Sequence, residues 1–503
     1  MVETITKDKE ELKKSRELNL NSKQEEAIKS LVAGYGYTPE TQEDGGALKV
    51  ESLDPQLHNL TFGSNDFTIL PALFDIGVHK AQSPVEKYIT FDKHGRIGHS
   101  IFQPEIGISD VNSPHIHQHT INMKYMTDVK QQSMAMSFTS TVEDAASINE
   151  QDAMIVIGKT AEWAIFYGDA DMTSDQAGTG LQFDGLQKLI PEKNHLDIRG
   201  QSLTPEVLNQ AAVLIGKGFG VATDAFMPIG VKADFGNQFL GAQRVLVPTN
   251  DGTTAGVNVD HFISARGNIR LNGSTIMDAD NILDLEEIPA PQAPAQPAIT
   301  AAEKPNAGSE KEVFFREAEK DGDVVVAPAE IGAELEYRAV AVGHHGDSFA
   351  SDVAKATPTA ANSAIELTVS LDSMQREIPD FVRIYRKSLV DGEFYLVGQV
   401  ATRDIDTTTG AITFTDRNAR IPGTADVFIG EVAQTVIQLM QFIPMTRINL
   451  AVVTTATSFV VTTAMALALY IPSRWVQVHN VRYNNIKDNH LGGVKVQAFI
   501  DNK

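Results

Sequence analysis

Residues 288–300, "IPAPQAPAQPAIT", divide the chain into parts of different character. Four prolines fall between Pro289 and Pro297. Proline fixes φ and offers no amide, so the run favours a stiff, extended, solvated linker over a helix or inner strand. Beyond it the pattern turns to β. Residues 312–315, 323–327, 334–342, 364–370, 381–387, 393–400 and 411–416 have strand-like length and content, and turn signals separate most of them. About seven such segments in roughly 120 residues predict a β-sandwich. After residue 430 the earlier apolar character resumes, in "VAQTVIQLMQFIPMTRINLAVV" (432–453) and "ALALYIPSRWVQVHNVRY" (466–483). These stretches are too apolar for a surface tail. The linker therefore opens an insertion, and the chain returns to finish a domain begun before it. Insertions succeed at exposed loops whose ends lie close together.

A chain of 503 residues exceeds one ordinary core and predicts about two to four domains. A formal charge of -23 argues against a dedicated nucleic-acid surface, which needs clustered Lys and Arg. Without cysteine there is no disulfide, zinc-thiolate site or cysteine nucleophile. Residues 1–30 carry seven basic and seven acidic residues and no apolar core, predicting a solvated helix or arm and no secretion signal. Ile448–Ser473 is uncharged and long enough to cross a bilayer. Thr454, Thr455, Thr457, Ser458, Thr462 and Thr463 interrupt it, and its β-branched content predicts buried strands instead.

Residues 31–85 mix Gly, Pro and polar residues and predict an extended arm. Within 86–138, "KYITF" leads to a turn-rich "DKHGR" and then "IGHSIF"; after an irregular stretch comes "TINMKYMTDVKQQSMAMSF". The pattern predicts a long projecting hairpin, and an isolated hairpin needs a neighbour to rest on. Residues 140–167 predict one helix, about 40 Å long, with Ser140 and Glu143 as a capping box and Gly168 as its stop. Gly158 reads as an internal weakness. A second helix starts at Thr204 (N-cap), Pro205 and Glu206, with Val207, Leu208, Ala211, Ala212, Leu214 and Ile215 on one face. Gly216, Gly218 and Gly220 should stop it. Residues 221–287 predict short strands and turns, with a helical stretch near 234–240.

Catalytic signals are sparse. In an extended strand His115, His117 and His119 share a face and could hold a transition metal, or could simply form the polar face of a projecting loop. "GKGFG" (216–220) sits at a helix end rather than between a strand and a helix start, so it reads as a C-cap and not a phosphate loop. "GHHGDS" (343–348) lies between β segments and reads as a turn. No nucleophile elbow or zinc-protease His pair is present, so an enzyme has no anchor.

Taken in order, "YITFDKHGRIGHSIF", the helix ending "AEWAIFYGD", "FDGLQKLI", "DIRGQSLTPEVLNQAAVLIGKGFGVATDAFMPIGVKADF" and "LALYIPSRWVQVHNV" resemble the major capsid proteins of tailed bacteriophages. The middle phrase is most similar to those of large contractile-tailed phages of Gram-positive bacteria. The resemblance covers roughly 31–287 and 431–503. It implies an α+β, Hong Kong 97-type capsid fold. Residues 1–30 would be a scaffold-like segment open to cleavage, 31–85 an N-terminal arm and 86–138 an extended loop. Residues 139–190 would form a peripheral domain on a spine helix, 191–287 an axial domain, and 431–503 the strands completing both. The insert, 288–430, resembles an all-β immunoglobulin or fibronectin type III module.

That resemblance implies a shell protein that encloses double-stranded DNA without reading its sequence, resident in the virion after synthesis in host cytoplasm. Its partners would be copies of itself in hexamers and pentamers, with portal, scaffold, maturation protease and decoration proteins. No cofactor and no membrane are implied. Phe91, Lys93, His94, Arg96 and Phe102, around the loop tip, are the candidate intersubunit contacts. The alternatives are an encapsulin-like compartment, a β-sandwich surface-binding protein, and a metal enzyme using the His triplet. An insert behind a stiff linker also predicts that its removal leaves assembly intact.

Overall fold

The computed structural model describes residues 66–93, 102–108, 115–134, 136, 145–176, 178–239, 246–249, 252–255, 259–277, 282–285, 288–309, 311–321, 324–371, 377–405, 410–451, 455–482, 490–491 and 494–495. The N-terminal segment, the start of the arm, the loop tip with His94 and Arg96, and the Ser140–Glu143 capping box lie outside them.

Helices α1 and α2 span Ile69–Asp75 and Ala145–Tyr167; α3 and α4 span Pro205–Lys217 and Ile229–Asn237. Strands β1 (Val85–Lys93), β2 (His115–Asn122) and β3 (Lys124–Ser133) precede α2. After it come β4 (His195–Asp197), β5 (Asp224–Pro228), β6 (His261–Ser264) and β7 (Gly267–Ser274). The β-rich stretch supplies β8 (Ala298–Lys304), β9 (Leu335–Gly343), β10 (Ala364–Ser370), β11 (Phe381–Lys387), β12 (Phe394–Ala401) and β13 (Ala411–Asp416). The chain closes with β14 (Thr424–Gly430), β15 (Ile437–Asn449), β16 (Ala456–Leu469) and β17 (Trp475–Arg482).

The uncharged run at 448–473 resolves into strands, since β15 and β16 pair antiparallel and β16 pairs with β3. Among the described residues no helix is long and apolar enough to cross a membrane. Helix α2 packs on this sheet, with Ala153 and Ile157 against Phe459 and Val461. Its C-terminal turns, Ala161 to Tyr167, are buried on most sides, as the thickening of apolar residues there requires. Gly158 is a packing position rather than a defect: a Cβ there would lie 2.7 Å from the Phe67 ring. At the end of α2, a Cβ on Gly168 would meet the Phe183 carbonyl at 2.3 Å, so only glycine fits that turn.

Glu162 of α2 is buried and accepts from the Thr68 amide (2.9 Å) and hydroxyl (2.7 Å), tying α1 down at its N-terminus. Burial raises the carboxyl pKa, outweighing the hydrogen bonds from Thr68, Leu70 and Ile69 that lower it. The folded chain therefore holds this proton more tightly than the unfolded chain does. This group's contribution must fall as pH rises from about 4.3 through the raised folded value. Glu162→Gln should remove that slope from the urea midpoint of the unassembled subunit; a parallel slope in wild type and variant would contradict it.

The second sheet has the order β4-β17-β14-β5-β7-β6. Helix α3 lies against it through Leu208, Ala211, Ala212 and Ile215, with Ile429, Val476 and Val478 in the same core. Thr204 caps the helix through the Val207 amide with Pro205 in the first turn, as predicted. Gly216, however, is inside α3, and the helix ends at Gly218. The turn is completed by Phe219, a non-glycine residue at φ 61°.

This sheet also explains the insertion. Strands β7 and β14 flank β5, one parallel and one antiparallel to it. The end of β7 and the start of β14 thus meet at the same end of the sheet, two strand spacings or roughly 10 Å apart. Because β14 is an inner strand here, the 288–430 boundary is too long at its C-terminal side: Thr424–Gly430 belongs to the sheet that precedes the insert.

Within the β-rich stretch, β8-β10-β13 and β9-β11-β12 form two sheets whose inner faces share one core, including Tyr337, Ile365, Leu367, Ile384 and Val397. Two expectations change. Glu312–Phe315 is not a strand; the Phe314 and Phe315 amides both donate to the Ala361 carbonyl, and the buried Phe315 ring plugs the core. The proline run is not a free solvated linker. Pro294 and Pro297 are buried, a turn links the Ala293 amide to Ala290, and Ala298 already begins β8. Proline's lack of an amide removes a donor but leaves its ring free to pack.

Candidate assembly interface

Strands β1 and β2 form a two-stranded antiparallel ribbon with Val85 opposite Asn122 and Phe91 opposite Ile116. The partner of β1 is therefore 115–122, within the 86–138 stretch expected to form a long hairpin. Alternation in "HIHQHTIN" marks the segment as a strand, but the pairing itself comes from the register. Opposed residues share a face. One face carries Val85, Ile89, Phe91 and Ile116 among the polar Lys87, Gln118, Thr120 and Asn122, and Ile89 is 72% exposed. The other carries Tyr88 opposite His119 and Thr90 opposite His117.

That second face meets the chain's own body at its base. The Tyr88 ring stands edge-on to Tyr470 at 5.1 Å, and its hydroxyl donates to the Leu469 carbonyl at 3.5 Å. Burial, with Tyr470 adding to it, raises the Tyr88 pKa, so the phenol stays a donor at neutral pH. Tyr88 also stacks on His119 at 5.0 Å, and His119 Nε2 lies 2.9 Å from the Thr90 hydroxyl. His115 Nδ1 and His117 Nε2 are 3.1 Å apart. The three histidines do share a face, but Tyr88 and Thr90 engage the third. Among the described residues no group of three or more His, Asp or Glu side chains is arranged to hold a metal.

Of the contact candidates, Phe91 is half exposed and Lys93 closes β1; Phe102 is exposed beyond the strand, and His94 and Arg96 lie outside the described residues. Sequence reasoning missed Ile89 and Ile116, and also Ile106 and Ile108, both exposed. It missed a second apolar row as well. Val129 (β3), Val460 (β16) and Ile448 (β15) are cross-strand neighbours, and Val129 and Ile448 are exposed. A ribbon of two strands with large apolar side chains exposed on one face is marginal alone in water. Such a surface fits a chain whose neighbours cover it.

A profile of the SU10 major capsid protein family matches residues 109–288. A relative from Enterococcus phage phiEF24C is 42% identical over 474 residues, covering 94% of this chain and 98% of its own. The major capsid protein of Staphylococcus phage K is 41% identical over 461 residues, 92% of this chain and 96% of that one. Among solved structures, the capsid of cyanophage P-SCSP1u aligns with 89% of the chain and 99% of its own at 8% identity, TM-score 0.41. The holo-SrpI encapsulin of Synechococcus elongatus PCC 7942 aligns with 88% and 96% at 8% identity, TM-score 0.36.

The relatives place this α+β chain in the class of structural capsid proteins. At 41–42% identity over nearly its whole length, the chain belongs to the major capsid proteins of bacteriophages. Its place is the virion capsid.

Proposed function

We propose that this chain self-assembles into an icosahedral shell around double-stranded DNA, each ribbon β1–β2 lying across a neighbouring copy. The observation that carries it is the exposure of the large apolar side chains Val85, Ile89 and Ile116 along one face of the ribbon. An interface of standard size buries about 800 Å² per partner, so many modest contacts suffice when symmetry repeats them. The negative charge keeps the shell from gripping packaged DNA. In this reading the chain has no catalytic task, and portal, scaffold, maturation protease and decoration proteins are its accessory partners. Sedimentation of the expressed chain should show large closed particles; a single slow monomer peak at every concentration would overturn the reading.

In the same proposal, the two-sheet insert is an immunoglobulin-like module on the shell's exterior, while 139–190 and 191–287 with the returning strands are the peripheral and axial domains. Both ends of the insert leave one end of the second sheet, so it emerges on one side of the tile. Because the chain has no cysteine, a single Lys304→Cys thiol is a clean probe. Lys304 is about half exposed and pairs with Glu366 on the surface, a contact worth at most about 1 kcal/mol. A membrane-impermeant maleimide too large for shell pores should label intact particles to completion. Labelling only after the particles are opened would place the insert inside.

A further inference from the structure

The insert does more than protrude. It grips the loop that follows α2. The Asp380 carboxylate accepts from the Ser174 amide (3.3 Å) and hydroxyl (3.0 Å). The Arg403 amide donates to the Thr173 carbonyl at 3.1 Å, its guanidinium pairs with Asp171 at 3.0 Å, and its carbonyl accepts from Gln176 at 2.6 Å. Thr173 is buried at this contact. Next to Arg403, the Thr402 amide donates to the Asp380 carbonyl at 2.9 Å.

The gripped loop is held on its other side by the body. Lys188 pairs with Asp169, with Asp171 at 2.6 Å and with Asp184 at 2.9 Å. Lys124 reaches the loop too, donating to Thr179 at 3.1 Å and to the Gly180 carbonyl. Lys124 is the first residue of β3, one position beyond Met123, whose amide closes the base of the ribbon on the Pro84 carbonyl at 2.8 Å. Hydrogen bonds and ion pairs, joined by short stretches of backbone, thus link Asp380 and Arg403 to residues 169–176 and 178–184 and, through Lys124, to the ribbon's base. A second attachment lies at the sheet end. There Arg316 reaches the Arg199 carbonyl, and the buried Asn480 holds Asp197, Ala419 and Ile421 together.

We propose that the insert is an intramolecular brace: by fixing the 169–184 loop it anchors the base of the assembly ribbon, and it is not a dispensable display module. This rests on the reading that β1–β2 is the assembly element. It reverses the expectation that the insert can be removed without consequence.

The test is amide exchange in the unassembled full chain carrying Asp380→Ala, with shell yield as a second readout. Asp380 is chosen because its side chain bonds Ser174 while its backbone bonds within the insert are kept. Ser174 should exchange about tenfold faster, the loss expected for a hydrogen bond to a charged group. Met123 should exchange several-fold faster, while Ala339, inside the insert and bonded to Ser351, stays unchanged. The variant's shells should be fewer or uneven in size. Unchanged exchange at Met123, or wild-type shell yield and size despite faster exchange, overturns the brace. Failure of the wild-type chain itself to form shells would instead count against the assembly reading, and the Met123 result distinguishes the two.

Discussion

Replacing Arg386 by Ala will unfold the insert or leave it on the edge of unfolding. The side chain is 1% exposed and lies between the two sheets. Its guanidinium donates to Asp416 at 2.7 Å and Asn418 at 2.6 Å, and Tyr337 donates to the same Asp416 oxygen at 2.9 Å. Burial works against the charge, but Asp416, Tyr337 and Glu330 outweigh it and hold the Arg386 pKa above its ordinary value. Removing the cation strands a buried Asp416 carboxylate, at a cost of about 3–5 kcal/mol. That is a large fraction of the roughly 5–15 kcal/mol that stabilises a domain. Exchanging the pair together, Arg386→Met with Asp416→Leu, should recover most of the loss, because breaking a buried pair costs more than replacing it. Urea titration of the unassembled subunit reads both; a single variant within 0.5 kcal/mol of wild type, on the order of a neutral surface change, would refute the account of this core.

The second large effect falls on assembly and spares the fold. Ile89→Asp with Phe91→Asp should abolish shells while leaving the subunit's melting nearly unchanged. Both side chains are exposed in the subunit, so their loss removes little folding energy. At a covering neighbour each would forfeit roughly 1.5–3 kcal/mol of burial, and each new carboxylate would be desolvated besides. Every copy carries the same defect, so the penalty recurs at every interface of a closed shell. Sedimentation should find at least a tenfold drop in particle yield, the ratio that about 1.4 kcal/mol sets for one interface. Wild-type yield from the double variant would show that this face is not the contact.

Much of the fold was legible because local chemistry and tertiary context agreed. Thr204–Pro205–Glu206 announced α3, the apolar thickening from Ala161 to Tyr167 marked the buried end of α2, and the threonines of 454–463 marked strands instead of a membrane helix. Failures came where only pairing decides. Nothing local tells that 85–93 pairs with 115–122 across a long connection, or that Thr424–Gly430 is an inner strand between β5 and β17. Glu312–Phe315 has strand composition, yet Phe315 is spent filling the core between sheets. The proline run hid its docking because proline rings pack where proline amides cannot bond.

The assembly surface was half legible. Aromatic and basic residues at the loop tip pointed towards contacts, but the strongest apolar face, Ile89 with Phe91 and Ile116, emerges only once the register is known. The insert's grip on Thr173 and Ser174 joins residues over 200 positions apart in sequence, and no motif encodes it.

The most direct test of the account is a reconstruction of the shell formed by this chain at a resolution that traces side chains. The ribbon β1–β2 of each copy should lie across an identical neighbour, with Ile89, Phe91 and Ile116 buried against it. Shells in which that ribbon rests only on its own chain or projects into solvent would contradict the claim at its centre.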